Sequence, residues 1–293
     1  MMYEPQGTSL FVQANGLRHH VLRYGEIGRD LLILPGITSP ALTAEFLAMD
    51  LAAEGYRVHV PDIRGRGRSD VAPAGSYTLA DYAGDVAGLV GELGLRDPIV
   101  LGHSMGARIA AAYSVLHGGA HGPLILADPP LSGPDRGPYP TSWDSFKTQL
   151  DEARRGTTPE EMRRFYPKWP LRELEIRAQE LPTCDETAIL ETHRGFETED
   201  FFTYWRRVQP PAIVIRGEKS PVVTDDGAAD LAKANPAVPV VGVPEAGHMI
   251  PWDNYDGFLS ALRTFLSDVS RETAASGRTA APDQAAPEEK EEN

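Results

Sequence analysis

The chain has 293 residues, 41% hydrophobic and 24% charged, which is room for one large α/β unit with a sizeable core. A formal net charge of −14 argues against nucleic acid and anionic membrane as partners, since both call for basic patches, and no apolar run nears the length of a membrane-spanning helix. The single cysteine, Cys184, rules out an intrachain disulfide, and the start Met1-Met2-Tyr3-Glu4-Pro5 lacks the basic-then-apolar pattern of a signal peptide, so a cytoplasmic protein is expected.

In chain order, the first elements are two alternating segments, Ser9 to Ala14 and Leu17 to Tyr24. Asn15-Gly16 joins them, a strong signal for an antiparallel hairpin. Short apolar runs follow at Asp30 to Leu34, Tyr56 to Val60, Pro98 to Leu101, Pro123 to Ala127, Ala212 to Ile215 and Val238 to Val243, as expected of strands buried on both faces of a parallel sheet. Between most of them lie helix-like stretches at Leu42 to Ala53, Leu79 to Leu93, Ala107 to Leu116, Asp225 to Ala234 and Tyr255 to Leu266. That alternation predicts an α/β fold with a mostly parallel, doubly wound sheet.

One interval breaks the rhythm. After Asp128 no strand-like run occurs before Pro211; proline- and glycine-rich turns give way to charged and aromatic helical segments. A connection that long inside a compact domain is usually functional, and it predicts a helical cap inserted between two strands. The expected division is therefore a core of residues 1–128 and 212–269, a cap over 129–211, and a tail over 270–293. The tail is rich in Ala, Pro and Glu and lacks aromatic residues, so disorder, or fraying of the last helix, is expected there.

The most informative stretch is Gly102-His103-Ser104-Met105-Gly106, which follows an apolar strand and precedes a helix. A sharp strand-to-helix turn presents its central serine, and flanking glycines let the two elements approach without a Cβ clash. A serine hydroxyl is a weak nucleophile, so Ser104 needs a base, an orienting acid and an oxyanion hole. Of the eight histidines, His248 is the candidate base, because it lies in Gly247-His248-Met249 just past the last strand. His103 is expected to pack under the elbow, and His19 and His20 to be ordinary strand residues on opposite faces.

The candidate acid is Asp128, at the carboxyl end of the strand after the nucleophile strand, with Asp225 and Asp226 as alternates. After the next strand stands Ser220, where an aspartate is more usual. The oxyanion hole is assigned to the backbone N–H groups of Ile37, in Leu34-Pro35-Gly36-Ile37, and Met105. No histidine pair has zinc-like spacing, so neither a catalytic metal nor a cofactor is called for.

These residues resemble the α/β-hydrolase superfamily: Leu34-Pro35-Gly36, the run Asp62-Ile63-Arg64-Gly65-Arg66-Gly67-Arg68-Ser69, the elbow and Gly247-His248, spread over about Ser9 to Leu266. Within it, Pro35 to Ala41, Gly102 to Arg108, Asp128 to Pro134, Thr183-Cys184 and Gly247 to Asp253 look most like the N-formylmaleamate deformylases, serine hydrolases of aerobic nicotinate breakdown. The resemblance implies a triad at Ser104, Asp128 and His248 and an amidohydrolase that passes through a formyl-serine to release maleamate and formate. A small-molecule substrate with a carboxylate needs a cation or several donors. Thr38, Ser39, Arg136 and Tyr139 are the candidates, with Trp252, Trp169 and Phe196 as apolar walls. Alternatives on the same scaffold are a carboxylesterase, an amidase or a carbon–carbon bond hydrolase. From other classes come a cofactor-free oxidoreductase or perhydrolase and a non-catalytic small-molecule receptor. An aspartate-nucleophile epoxide hydrolase or dehalogenase does not fit a serine at the elbow.

Overall fold

The computed structural model describes residues 3–118 and 121–279. Among the described residues, eight strands form one sheet: β1 (Thr8–Ala14), β2 (Leu17–Tyr24), β3 (Arg29–Leu34), β4 (Tyr56–Pro61), β5 (Ile99–His103), β6 (Leu124–Ala127), β7 (Ala212–Gly217) and β8 (Val240–Val243). Their spatial order is β1-β2-β4-β3-β5-β6-β7-β8. Only the β1–β2 and β2–β4 pairings are antiparallel; from β4 to β8 every neighbour is parallel. The opening hairpin turns on Asn15 and Gly16 at φ 49° and 79°, the positive values a tight hairpin turn requires.

Helices cover both faces: α1 (Glu45–Ala53), α2 (Leu79–Glu92), α3 (Met105–Leu116), α4 (Trp143–Arg154), α5 (Pro159–Met162), α6 (Leu171–Glu180), α7 (Glu186–Thr198), α8 (Phe202–Trp205), α9 (Asp225–Ala234), α10 (Ile250–Asp253) and α11 (Tyr255–Thr279). The two-residue period of the strands splits the core. Leu32, Val100, Leu126 and Val214 pack with α2, α3 and α9, whereas Leu31, Ile33, Leu101, Ile125 and Ile213 pack with α1 and α11. Burial on both sides explains why these strands read as continuous apolar runs.

Between β6 and β7 lie α4 to α8 and a short 3-10 turn, with no strand among the described residues of this stretch. Local sequence starts the helices here: Ser142, Thr158 and Asp185 each accept a backbone N–H as N-caps of α4, α5 and α7.

Two boundaries differ from expectation. The helix expected from Leu42 begins as a 3-10 turn over Ala41–Ala44 and becomes α1 only at Glu45. The helix expected to end near Leu266 runs to Thr279, because alanines, arginines and glutamate past Val269 favour helix even where the apolar stripe has ended. The rest of the expected tail, 280–293, lies outside the described residues. Among the described residues no helix is long and apolar enough to cross a membrane.

Candidate active site

The carboxyl ends of β5, β6 and β7 converge on one point. β5 ends at His103, and the next residue, Ser104, sits at φ 56° and ψ −117°, a sparsely populated conformation that costs about 1–3 kcal/mol and needs its surroundings to hold it. The Ser104 N–H donates to the Ala127 carbonyl at the end of β6 (2.8 Å). The glycines on either side are obligatory: a Cβ on Gly102 would stand 2.1 Å from the Gly106 carbonyl oxygen, and one on Gly106 would stand 1.9 Å from that of Leu34. The strained turn is thus wedged between two strands and a helix.

Asp128, the first residue past β6, also has positive φ (49°) and is fully buried. Its carboxylate is oriented from three directions. Gly217 N–H donates to Oδ1 (3.2 Å), Ser220 Oγ donates to Oδ2 (2.5 Å), and His248 Nδ1 lies 2.7 Å from Oδ2. The far ring nitrogen, His248 Nε2, lies 2.9 Å from Ser104 Oγ. Serine, imidazole and carboxylate therefore form one continuous hydrogen-bonded line. The alternates for the acid do not reach it: Asp225 pairs with Arg216 at 2.5 Å with 87% of its side chain exposed, and Asp226 lines a separate surface depression. Ser220, standing where an aspartate is more usual, binds the carboxylate supplied instead by β6.

His103 packs under His248, the rings 5.2 Å apart, and its Nε2–H donates to the His248 carbonyl (2.8 Å). Burial, with a smaller contribution from His248, pushes its pKa down to about 3, so it is a neutral prop. His20 binds Asp62 through Nδ1 (2.7 Å), while His19 faces Asp85 from the opposite side of the strand. Asp62 in turn accepts the N–H groups of Ala41 (2.6 Å) and Arg68 (2.9 Å), which braces the loop after β3. Burial raises the Cys184 thiol to about 11, an inert side chain.

The loop after β3 supplies the other half of the site. Ile37 and Thr38 turn their carbonyls into the protein, where two buried arginines hold them: Arg66 Nε donates to Ile37 O (3.0 Å), and Arg177 Nη1 donates to Thr38 O. Among the described residues no protein acceptor pairs with the N–H of Ile37 or of Met105, leaving both donors available beside Ser104.

These elements close over a cavity of about 290 Å³ lined by Thr38, Ser39, Ser104, Tyr139, Trp169, Arg177 and His248, among others. Of the expected substrate contacts, Thr38, Ser39 and Tyr139 are there. Arg136 is not: its guanidinium binds Asp230 (2.6 Å) and lies over the Phe202 ring (3.9 Å), because the turn after β6 carries it toward α9. Trp252 stands one layer back, stacked on Trp169 at 4.8 Å, and Phe196 supports Tyr139 from behind at 4.8 Å.

The residue that sequence reasoning missed is Arg177. It is 2% exposed, lines the cavity from α6, and among the described residues has no carboxylate partner. Nη2 donates to Thr38 Oγ1 (2.6 Å) and Tyr166 OH (3.2 Å), which leaves some of a guanidinium's five N–H donors unused. A buried cation without a counter-ion is expensive unless the site is built to receive an anion. A signal was present: Arg177 lies three residues after Leu174 and four before Leu181, interrupting an apolar helical stripe with a charge. The helix is seated from outside by Arg172–Glu45 (2.5 Å) and by Gln179 bonding both backbone groups of Tyr3.

Arg108, on α3 one turn after Ser104, ties the walls together. Fully buried, it donates to the carbonyls of Pro130 (3.3 Å), Ser132 (3.1 Å), Phe196 (3.3 Å) and Glu199 (2.5 Å), joining the loop after Asp128 to the end of α7. Among the described residues no group of three or more His, Cys, Asp or Glu side chains is arranged to hold a metal ion.

The chain is similar to known proteins in both sequence and fold. Residues 31–255 match the family model described as the alpha/beta hydrolase fold. The chain is 38% identical over 255 residues to the N-formylmaleamate deformylase of Pseudomonas putida KT2440, covering 87% of this chain and 95% of that one. It is 28% identical to the 2-(acetamidomethylene)succinate hydrolase of Mesorhizobium japonicum, over 82% of this chain and 88% of that one. Among solved structures, the N-formylmaleamic acid deformylase of Pseudomonas putida S16, a serine-to-alanine variant, superposes with a TM-score of 0.82 at 39% identity, covering 87% of this chain and all of that one.

Proposed function

The chain belongs to the alpha/beta hydrolase family, and on that premise we propose that it is a serine hydrolase of small carboxylate-bearing N-acyl amides, with N-formylmaleamate as its substrate. The observation that carries this reading is the pairing, in one small cavity, of the Ser104–His248–Asp128 line with the uncompensated Arg177. The names of the deformylase and the succinate hydrolase, two relatives matched over most of the chain, describe N-acyl compounds with carboxylates, which is the chemistry such a pair accommodates.

His248 Nε2 takes the proton of Ser104 Oγ as the oxygen attacks the formyl carbon, and the N–H groups of Ile37 and Met105 hold the oxyanion. Asp128 keeps the imidazole oriented and stabilises it while charged, itself steadied by Ser220 and Gly217. Collapse breaks the carbon–nitrogen bond, the electron pair stays on nitrogen, and His248 returns the proton to it. Maleamate departs and leaves a formyl-serine. A water that gives its proton to His248 Nε2 then attacks the formyl carbon, and formate leaves as Ser104 is restored. Arg177, with Thr38 and Ser39 beside it, holds the distal carboxylate so that the formyl group lies over Ser104.

The test is formate and maleamate release from N-formylmaleamate by the wild type and a Ser104→Ala variant, beside a short p-nitrophenyl ester. Equimolar formate and maleamate, lost in the variant, are expected. Ester cleavage without formate would reject the substrate while keeping the nucleophile, and Ser104-independent turnover would reject the mechanism.

A further inference from the structure

Tyr139 has a hydroxyl that the triad chemistry does not use. The side chain is 5% exposed and lies between Pro138 and Pro140, whose rings restrict the backbone on both sides. Phe146, His193 and Phe196 surround its ring at centroid distances of 6.4, 6.1 and 4.8 Å. The hydroxyl reaches toward His248 Nε2 at 3.4 Å and also interacts with the side chain of Ser104, so it lies against both members of that pair.

A buried phenol ordinarily finds a well-formed partner. This one has a long contact to the nitrogen that must pass a proton to the leaving group and an interaction with the Ser104 side chain beside it. At a separation of 3.4 Å, one acceptor on the cavity side can contact both His248 Nε2 and the Tyr139 hydroxyl. Long hydrogen bonds in an empty site commonly tighten when the reacting group arrives. Burial raises the phenol pKa further above its ordinary value, so the group remains a neutral donor throughout the working pH range.

Building on the acyl-transfer reading of this site, we propose that Tyr139 is a catalytic residue that donates a hydrogen bond to the leaving group as the bond to the acyl carbon breaks. His248 transfers the proton to nitrogen; Tyr139 keeps its own and stabilises the electron pair by hydrogen bonding. In an N-acyl carboxamide that pair spreads from nitrogen onto the adjacent carbonyl oxygen, which is an acceptor for the phenol O–H. The leaving group is then an imidate-like anion rather than an amine, and a second donor is where such a group gains most.

The experiment is a leaving-group series, read as kcat/KM for aryl acetates from p-nitrophenyl to unsubstituted phenyl, with wild type, Tyr139→Phe and Ser104→Ala. Phenylalanine preserves the ring packing, and Tm is measured to verify the fold. The expected result is little change for p-nitrophenyl acetate, whose leaving group needs no donor, and a loss growing to roughly 10²-fold for the poorest leaving group. A uniform loss across the series, or a loss confined to a kcat limited by deacylation, would overturn the inference. Absence of Ser104-dependent acyl transfer in the wild type would defeat the acyl-transfer reading and this inference with it.

Discussion

The two sides of the cavity are built in different ways. The nucleophile side is fixed by backbone: Ser104 and Asp128 stand at strand ends with positive φ, Gly102 and Gly106 are the only residues their contacts admit, and His248 comes from the loop after the last strand. The opposite wall, contributed by the segment between β6 and β7, is fixed by side chains reaching across space, with Arg177 held by Thr38 and Tyr166 and Tyr139 held by aromatic rings. Backbone constraints dictate residue types at fixed spacing, whereas side-chain walls depend on how helices happen to be seated. On the proposed reading the nucleophile, base and acid work from the first side, and the second contributes substrate recognition through Arg177 together with the Tyr139 hydroxyl.

The comparison breaks most easily at the nucleophile side. Ser104→Ala should lower kcat by about 10⁶-fold with Tm unchanged or raised, and Asp128→Asn by about 10⁴-fold, both measured as product release together with thermal unfolding. An Asp128→Asn variant of near-normal activity would move the acid elsewhere.

Backbone dependence is sharpened by two glycines. Gly106→Ala should destabilise by at least ~3 kcal/mol, since the added carbon meets the Leu34 carbonyl. Gly91→Ala, in α2 with nothing within 4 Å of the added carbon, should stabilise by ~0.5 kcal/mol. Denaturant melts should give opposite signs; equal signs would mean that the elbow tolerates a side chain.

The prop beneath the base has a pH signature. Because the folded His103 pKa of about 3 lies below the ordinary value, folding favours the neutral ring. Its contribution is complete above about pH 6.5 and is lost as pH falls toward 3, at up to ~1.4 kcal/mol per pH unit. His103→Asn should remove that slope, seen as a smaller stability loss between pH 6.5 and 4 than in the wild type; parallel curves would show that His103 does not carry it.

Smallest of all is Arg136→Ala. Its ion pair with Asp230 is partly exposed and far from the cavity, so the change should cost at most ~1 kcal/mol and leave KM unaltered. A raised KM would return Arg136 to the substrate.

What the sequence made legible follows the same division. Alternating apolar runs and helical stretches yield the parallel sheet, and a strand, glycine turn and helix yield Ser104. Asp128 is readable from its place at a strand end, although only the fold shows that Ser220 and Gly217 complete its shell. Arg136 attracts attention as a cation near the acid, yet the turn after β6 directs it outward. Arg177 interrupts the apolar stripe of α6, which marks it apart from the other charges of that helix, but only the docking of α6 shows that this face lines the cavity. The extra length of α11 was missed because an apolar stripe marks where a helix is packed, not where it stops.

The most direct measurement of whether Arg177 chooses the substrate is the ratio of kcat/KM for N-formylmaleamate to that for its neutral methyl ester, in wild type and Arg177→Met. The wild type should favour the carboxylate by about 10²-fold through KM, as expected when a buried charge pair is made, and the variant should lose that preference, whatever smaller loss the two substrates share through the Thr38 loop. A variant that still prefers the carboxylate would contradict the assignment of this wall to substrate recognition.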